Sequence, residues 1–163
     1  MEKQLLKTDV SFIFCDYSNE YHCKKFAELI NQYIADPMGG GKPLTLLEQL
    51  RLVDGMANHP SGFVMFAVAA DEIVGLVTCF INFSTFKAKA YLNIHDIIVR
   101  KEFRGRGIGR KLMEKCIDIA RERKYCKVTL EVRDDNANAQ KLYNSLGFQD
   151  TEPVMHFWTK VLN

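Results

Sequence analysis

The chain has 163 residues, of which 47% are hydrophobic and 26% are charged, and its formal net charge is +2. These values are ordinary for a globular protein and predict that residues 1–163 form a single domain. The small net charge argues against nucleic acid or a membrane surface as a partner. The sequence has neither a run of ~18 apolar residues nor the apolar core of a signal peptide at its start, so we expect a cytoplasmic protein that does not cross a membrane.

The chain begins with a predicted strand and helix. The run 10–15 reads as a short strand, and apolar residues then recur at helical spacing over 26–34. Asp16 or Ser18 is the candidate cap of this helix, and Asp36-Pro37 ends it.

A second helix is predicted after a glycine-rich break. Thr45 and Glu48 have the spacing of a capping box, and the apolar stripe that follows continues to Met56. Before it, Gly39–Gly41 form either a lid over a substrate or a flexible connector.

The middle of the chain reads as strands. Two apolar runs, 63–70 and 73–83, are joined through Asp71-Glu72 and predict an antiparallel hairpin, and 91–99 is the next strand. We therefore expect these three runs to form the centre of a sheet.

The last third alternates helix and strand. A helix begins at Ile108, a strand follows over 127–132, and the next helix carries Asn136 and Tyr143. The run 154–162 is predicted to be a closing strand.

Cysteine and histidine give no sign of a disulfide or of a metal. The five cysteines are odd in number and form no Cys-x-x-Cys pair, so we interpret them as reduced core residues. The histidines lack the spacing of metal ligands, and no metal site is predicted.

The most informative segment runs from Arg104 to Gly109, with the sequence Arg-Gly-Arg-Gly-Ile-Gly, between a strand and a helix. A glycine-rich turn that opens into a helix directs several unpaired backbone N–H groups at one point and binds anions there. Its spacing fits neither a Walker loop nor a dinucleotide-binding loop. The alternative is a plain strand–helix turn that is rich in glycine.

Six basic residues surround this turn between positions 100 and 111, against one acid, Glu102. A solvated basic face is the default interpretation. Cations at a helix N-terminus oppose the helix dipole, however, unless an anion is bound. A ligand rich in phosphate would remove that conflict.

The order Arg-x-x-Gly-x-Gly resembles the acyl-CoA pyrophosphate loop of the GNAT superfamily of N-acetyltransferases. A second signature of that family follows, Asn136-x-x-Ala139-x-x-x-Tyr143 and then Leu146-Gly147-Phe148. The two signatures together span residues 92–148. The resemblance implies an α/β (α+β) GNAT fold, with a mixed, mostly antiparallel sheet splayed at its centre and helices on both faces.

The resemblance also implies acetyl-CoA as the co-substrate. The residues expected to bind it are those of the strand end, the glycine turn and the second signature: Ile97, Ile98, Val99, Arg104, Gly105, Arg106, Gly107, Ile108, Gly109, Arg110, Asn136 and Tyr143. In the family a bulge near the end of the fourth strand exposes an N–H for the developing oxyanion, and this corresponds here to 97–99. Acceptor specificity is expected in 38–42 and 83–86.

Acetyl transfer to an amine requires a base for the amine and an acid for the departing thiolate. In relatives the tyrosine at the place of Tyr143 is commonly the acid. His95 is the preferred base, because the reference pKa of histidine is about 6.5, and Asp96 is the alternative. Adjacent strand residues point to opposite faces, so only one of the two is expected to face the substrate. A purely structural histidine is the other possibility.

The sequence thus predicts an N-acetyltransferase acting on a primary amine of a small molecule or peptide by direct attack, with a homodimer as a candidate assembly. A non-catalytic acyl-CoA sensor is the alternative, although an intact proton donor argues against it. A nucleic-acid-binding protein is disfavoured by the absence of a basic-aromatic array.

Overall fold

The computed structural model describes residues 9–162. They form two compact units, one reaching to Glu131 and one beginning at Val132. That residues 1–163 form a single domain stays a prediction. Within the described residues, no helix is long and apolar enough to cross a membrane.

The first unit contains the sheet and most of the helices. In chain order its elements are β1 (Ser11–Phe14), α1 (Glu20–Ala35), α2 (Leu46–Ala57), β2 (Gly62–Ala69), β3 (Glu72–Ser84), β4 (Lys89–Val99), a 3-10 helix (Lys101–Phe103), α3 (Ile108–Glu122) and β5 (Val128–Leu130). The second unit contains α4 (Ala137–Ser145).

The sheet is open and mixed, with the strand order β1-β2-β3-β4-β5. Its first four strands are antiparallel neighbours, whereas β5 is parallel to β4. The β4–β5 ladder joins only Leu92–Ile94 to Val128–Leu130, so β4 continues past Ile94 without β5 beside it. The predicted fold class, a mostly antiparallel sheet that separates between these strands, is confirmed.

Helices cover both faces of this sheet. On one face, Phe26 of α1 packs in a buried cluster with Leu76 of β3 and Ile98 of β4. On the other face, the sulfur of Cys79 in β3 lies 3.9 Å from the sulfur of Cys116 in α3. The alternation of side chains along β3 produces this division, because consecutive residues point to opposite faces.

The first two helices begin at side-chain caps. Asn19 caps α1 by accepting hydrogen bonds from the second and third helical N–H groups. The prediction of Asp16 or Ser18 is wrong, because the Asp16 carboxylate instead accepts from the Ser18 N–H and hydroxyl in the preceding turn. The capping box of Thr45 and Glu48 at α2 is confirmed.

The end of the chain departs from expectation. Residues 154–162 form no strand, so the predicted closing strand is wrong, and β5 is shorter than the predicted 127–132. Six large apolar side chains of this segment are more than half exposed: Val154, Met155, Phe157, Trp158, Val161 and Leu162. Strand propensity alone is insufficient here, because a strand also needs a hydrogen-bonded neighbour.

All five cysteines are free, as predicted. Cys79 and Cys116 are fully buried, whereas Cys15, Cys23 and Cys126 are partly buried. Cys79 and Cys116 therefore act as small apolar core residues, and the other three lie outside the fully buried core.

Candidate active site

A β-bulge in the middle of β4 shapes the site. The consecutive β3 residues Thr78 and Cys79 pair with Asp96 and Ile94, so His95 is an extra residue on β4. An extra residue bends a strand and redirects its side chains.

The bulge does not lie at 97–99, where the sequence analysis placed it. Ile97, Ile98 and Val99 pair in regular register with Val77, Leu76 and Gly75. Their free edge nevertheless lies beyond the last β4–β5 pair. Alternate backbone groups of an unpaired edge remain available to an extended ligand.

The bulge brings His95 and Asp96 to the same face, which corrects the expectation of opposite faces. The His95 ring packs edge-on against Phe80, with 5.4 Å between centroids. Asp96 lies opposite Thr78, two residues from Phe80 on β3. Both residues line one cavity against α1 and α2.

This cavity has a volume of about 320 Å³. Its apolar lining comes from α1, α2 and β3, through Phe26, Ile30, Ile34, Leu52, Met56 and Phe80. Its polar lining residues are Tyr33, Thr78, His95 and Asp96. An apolar pocket with a few convergent polar groups is the usual form of a small-molecule site.

Sequence reasoning missed Thr78 and the apolar lining. The available signal was the single hydroxyl in the apolar run 73–81, on the strand next to His95 and Asp96. The lining from α1 and α2 could not be separated from ordinary core residues, because both produce the same helical periodicity.

The glycine segment after α1 is a hydrogen-bonded turn. The N–H groups of Gly39 and Gly40 donate to the Asp36 carbonyl, and that of Gly41 donates to the Ile34 carbonyl. A Cβ at position 39 would lie 1.9 Å from the Tyr33 carbonyl oxygen, so only glycine fits. Gly39 also lines the cavity, next to the end of α1.

The other segment expected to select the acceptor lies elsewhere. Residues 83–86 in the β3–β4 connection line a separate depression with Tyr91 and Lys127. None of them lines the cavity at the bulge.

The environment of Asp96 disfavours its charge. Burial raises the pKa of Asp96, and the neighbouring His95 and Thr78 lower it by a smaller amount. The Thr78 hydroxyl is close to this carboxyl but finds no hydrogen bond of normal geometry in the described part of the chain. Asp96 is thus a partly buried carboxyl group whose charged form is disfavoured.

Asp96→Asn should raise the free energy of unfolding at pH 7. Because the pKa of Asp96 is raised by folding, the folded state binds its proton more tightly than the unfolded state. Wild-type stability must therefore fall as pH rises from the unfolded pKa of about 3.9 through the raised folded value. Asparagine has no charge, so the stability gained by Asp96→Asn over wild type should be largest above that pH window. The gain should shrink as pH falls towards about 4. Urea unfolding at a series of pH values measures this.

Asp118→Asn is the matched control for this experiment. The Asp118 side chain is 57% exposed on α3 and loses little hydration on folding. A stability gain of Asp96→Asn that did not change with pH would contradict the assignment of the effect to the buried charge.

The glycine turn leaves the N-terminus of α3 open. Gly105 and Gly107 have φ values of +75° and +78°, and Gly107 is the N-cap of α3. No side chain caps this helix, whereas side chains cap α1, α2 and α4. A Cβ at Gly105 or Gly107 would meet no atom within 4 Å. An uncapped helix end beside open space is suited to an anion.

Arginine side chains fix this turn in place. Arg104 donates to the Val99 carbonyl at the end of β4 and pairs with Asp36 at a distance of 3.1 Å. Arg106 donates to the Glu102 carbonyl. The guanidinium groups thus connect the turn to β4 and α1, and the helix N-terminus presents backbone donors.

The second unit holds Asn136 and Tyr143. Asn136 lies just before α4 and caps it, with its side-chain oxygen accepting from the Ala139 N–H at 3.2 Å. Its side chain therefore folds over the first turn of the helix. Tyr143 is 9% exposed and packs edge-on against Phe148, with 6.2 Å between ring centroids.

Residues 9–162 contain no group of three or more His, Cys, Asp or Glu side chains arranged to hold a metal ion. The site offers a pair of titratable groups beside an apolar cavity, on the strand that leads to a glycine turn with an uncapped helix N-terminus.

An open mixed sheet, a bulged central strand and an uncapped helix after a glycine turn define an acyltransferase-like class of fold. The chain belongs to the acetyltransferase (GNAT) family, whose sequence model matches residues 17–148. The resemblance seen in the two signatures is thereby confirmed.

Two relatives and one solved structure illustrate the family. The thialysine N-epsilon-acetyltransferase of Bos taurus is 36% identical over 149 residues, covering 86% of each chain. An uncharacterized N-acetyltransferase of Archaeoglobus fulgidus is 45% identical over 83 residues, 50% of this chain and 56% of the relative, so the chain spans about half its length. A crystal structure of a probable acetyltransferase has a TM-score of 0.79 at 20% identity, covering 95% of this chain and 99% of that one, and shows the fold alone.

Proposed function

We propose that this chain is an acetyl-CoA-dependent N-acetyltransferase that acts on a primary amine of a small molecule or peptide. The observation that carries the proposal is the open N-terminus of α3, at the end of the same β4 strand that bears His95 and Asp96. An anion site and an acid–base site are thus connected by one short segment of chain. The name of the bovine relative, a thialysine N-epsilon-acetyltransferase, agrees with an amine as acceptor.

The residues at the glycine turn fit the diphosphate of coenzyme A. Backbone N–H groups between Gly105 and Arg110 would hold it, since no side chain caps α3 and the space before Gly105 and Gly107 is open. The edge of β4 at Ile97–Val99, where β5 is absent and only the Val99 carbonyl is taken, by Arg104, would accept the extended arm of the molecule. Acetyl-CoA, when bound, supplies the thioester.

Two side chains are proposed to move protons. His95 takes one from the amine, through a water molecule, and Tyr143 donates one to the departing thiolate. The amine nitrogen forms the new bond to the acetyl carbon as the carbon–sulfur bond breaks, so the proton lost by nitrogen is matched by one gained by sulfur. Asp96 lies beside His95 and is the alternative base.

A screen of primary amines with acetyl-CoA tests the function. The expected result is release of free thiol together with an amine product heavier by one acetyl group. A non-catalytic acyl-CoA sensor would bind acetyl-CoA and release no thiol with any amine, and that outcome would replace the proposal.

Gly107→Leu should weaken acetyl-CoA binding about tenfold or more. A leucine at φ +78° strains the turn and fills the space where an anion would meet the backbone. Calorimetric titration with acetyl-CoA measures the change.

Gly147→Leu is the control, because Gly147 also has positive φ (+89°) and open space before it. It follows the C-terminal end of α4, where a helix presents carbonyl groups rather than donors. Equal affinity of wild type and Gly107→Leu would remove the glycine turn from the binding site.

A second copy of the chain is a further proposed partner. The apolar side chains exposed between Val154 and Leu162 support a homodimer, since exposed apolar patches commonly mark interfaces. Sedimentation equilibrium tests it, and a monomer at all concentrations would reject it. A cytoplasmic location is proposed as well, to be tested by cell fractionation.

A further inference from the structure

The cavity at the bulge has an uneven distribution of charge. Among residues 9–162, Asp96 is the only acidic residue that lines it and His95 is the only histidine there. No Lys, Arg or Glu of this described part lines it. Most of its lining is aliphatic or aromatic, so only the end at β4 can accommodate a cation.

The same end contains a hydroxyl group in need of a partner. Thr78 is 3% exposed, and its Oγ1 lies close to the Asp96 carboxyl but finds no hydrogen bond of normal geometry within residues 9–162. A buried polar group without a partner costs free energy that a bound ligand can recover. Because Thr78 lies opposite Asp96, one ligand N–H group could donate to the hydroxyl and another to the carboxylate.

The size of the cavity limits the rest of the ligand. About 320 Å³ is at the small end for ligand pockets and holds roughly ten groups the size of a water molecule. Phe26, Ile30 and Met56 are each less than 9% exposed and form a wall without a polar side-chain group other than the Met56 thioether. The part of a ligand that lies along this wall must therefore be apolar.

We propose that the acceptor is a small primary monoamine on an uncharged, apolar chain, with its nitrogen at Thr78 and Asp96 and its chain along the α1–α2 wall. This inference rests on the proposed function and narrows its acceptor to one chemical class. It excludes as preferred acceptors the diamines, the polyamines and any lysine whose backbone amino or carboxyl group carries a charge.

The physical reason for the exclusion is the second charge. A cation moved from water to an apolar wall loses its hydration and gains no partner there. A diamine with its first nitrogen at Asp96 and its chain along the wall would place its second nitrogen near Ile30, Leu52 and Met56, which line the cavity.

A matched pair of amines tests this directly. Hexylamine and 1,5-diaminopentane have equal numbers of non-hydrogen atoms, and differ in whether the far end is a methyl or an ammonium group. We expect hexylamine to exceed the diamine roughly 100-fold in kcat/KM for thiol release from acetyl-CoA. Calorimetric titration of each amine into the full chain should rank them in the same order.

A charge placed on the wall should weaken the preference. Leu52→Glu introduces a carboxylate into the lining at a half-buried position of α2. By pairing with the second ammonium group, it should reduce the ratio of kcat/KM for hexylamine to kcat/KM for the diamine about tenfold or more. Leu50→Glu is the control, since Leu50 is 60% exposed on the same helix and does not line the cavity. It should leave the ratio unchanged.

The outcomes separate this inference from the proposed function. Thiol release that is equal for both amines, or greater for the diamine, would overturn the inference while the function stands. If no amine released thiol, tighter calorimetric binding of hexylamine would support the monoamine pocket and reject the function. Equal or absent binding would then reject both.

Discussion

Tyr143→Phe should lower kcat roughly 100-fold while acetyl-CoA affinity changes little. Removal of one oxygen atom takes away the proposed proton donor for the thiolate, and general acid catalysis commonly contributes a factor of 10²–10⁴. The ring itself should stay in place, because it is 9% exposed and packs against Phe148. Pre-steady-state thiol release and calorimetry measure the two quantities separately.

Tyr17→Phe is the matched control for this experiment. The Tyr17 hydroxyl is buried without a hydrogen-bond partner among the described residues, and burial raises its pKa to about 12. Its loss should leave kcat unchanged. Full activity in Tyr143→Phe would mean that another group, or water, protonates the thiolate.

Much of the fold could be predicted because local patterns agree with the tertiary structure. The run of apolar residues in β3 forms a strand covered on both faces, and Thr45 with Glu48 begins α2 as its spacing indicates. In α3 the apolar residues Leu112 and Cys116, which lie four positions apart as a helical face requires, are both fully buried. These elements depend on residues that are near one another in sequence.

The parts that failed depend on partners distant in the chain. The bulge at His95 arises from the register of β4 against β3, and no side chain in either strand identifies the extra residue. The predicted strand over 154–162 has favourable residues, yet this segment forms no strand. The ion pair of Arg104 with Asp36 at the end of α1 joins residues 68 positions apart and has no local sequence signal either.

The bulge also explains why the cavity could not be predicted. If β4 had no bulge, the regular alternation of its side chains would direct His95 away from Asp96 and towards α3. With it, both side chains meet the apolar residues of α1 and α2. The bulge in β4 therefore places two titratable side chains, His95 and Asp96, in the lining of an otherwise mostly apolar cavity.

His95→Gln should lower kcat/KM for the acceptor amine roughly 100-fold at pH 7 and flatten the acid limb of its pH profile. His95 is exposed at the bulge and lines the cavity, so a water molecule can reach both it and a bound amine. Glutamine keeps the size of the side chain and cannot take up the proton. The acceptor amine titrates at much higher pH and should still shape the alkaline limb.

His59→Gln is the control that isolates the chemistry from the packing. The His59 ring also packs edge-on against Phe80, with 4.8 Å between centroids, but His59 does not line the cavity. Both variants thus remove one aromatic neighbour of Phe80, and only His95→Gln removes a group from the site. If the two variants kept the same acid limb as wild type, the base would be Asp96, whose burial already raises its pKa, or the site would bind the neutral fraction of the amine directly. Asp96→Asn in the His95→Gln background decides between these two, because only a carboxylate base would lose the remaining acid limb.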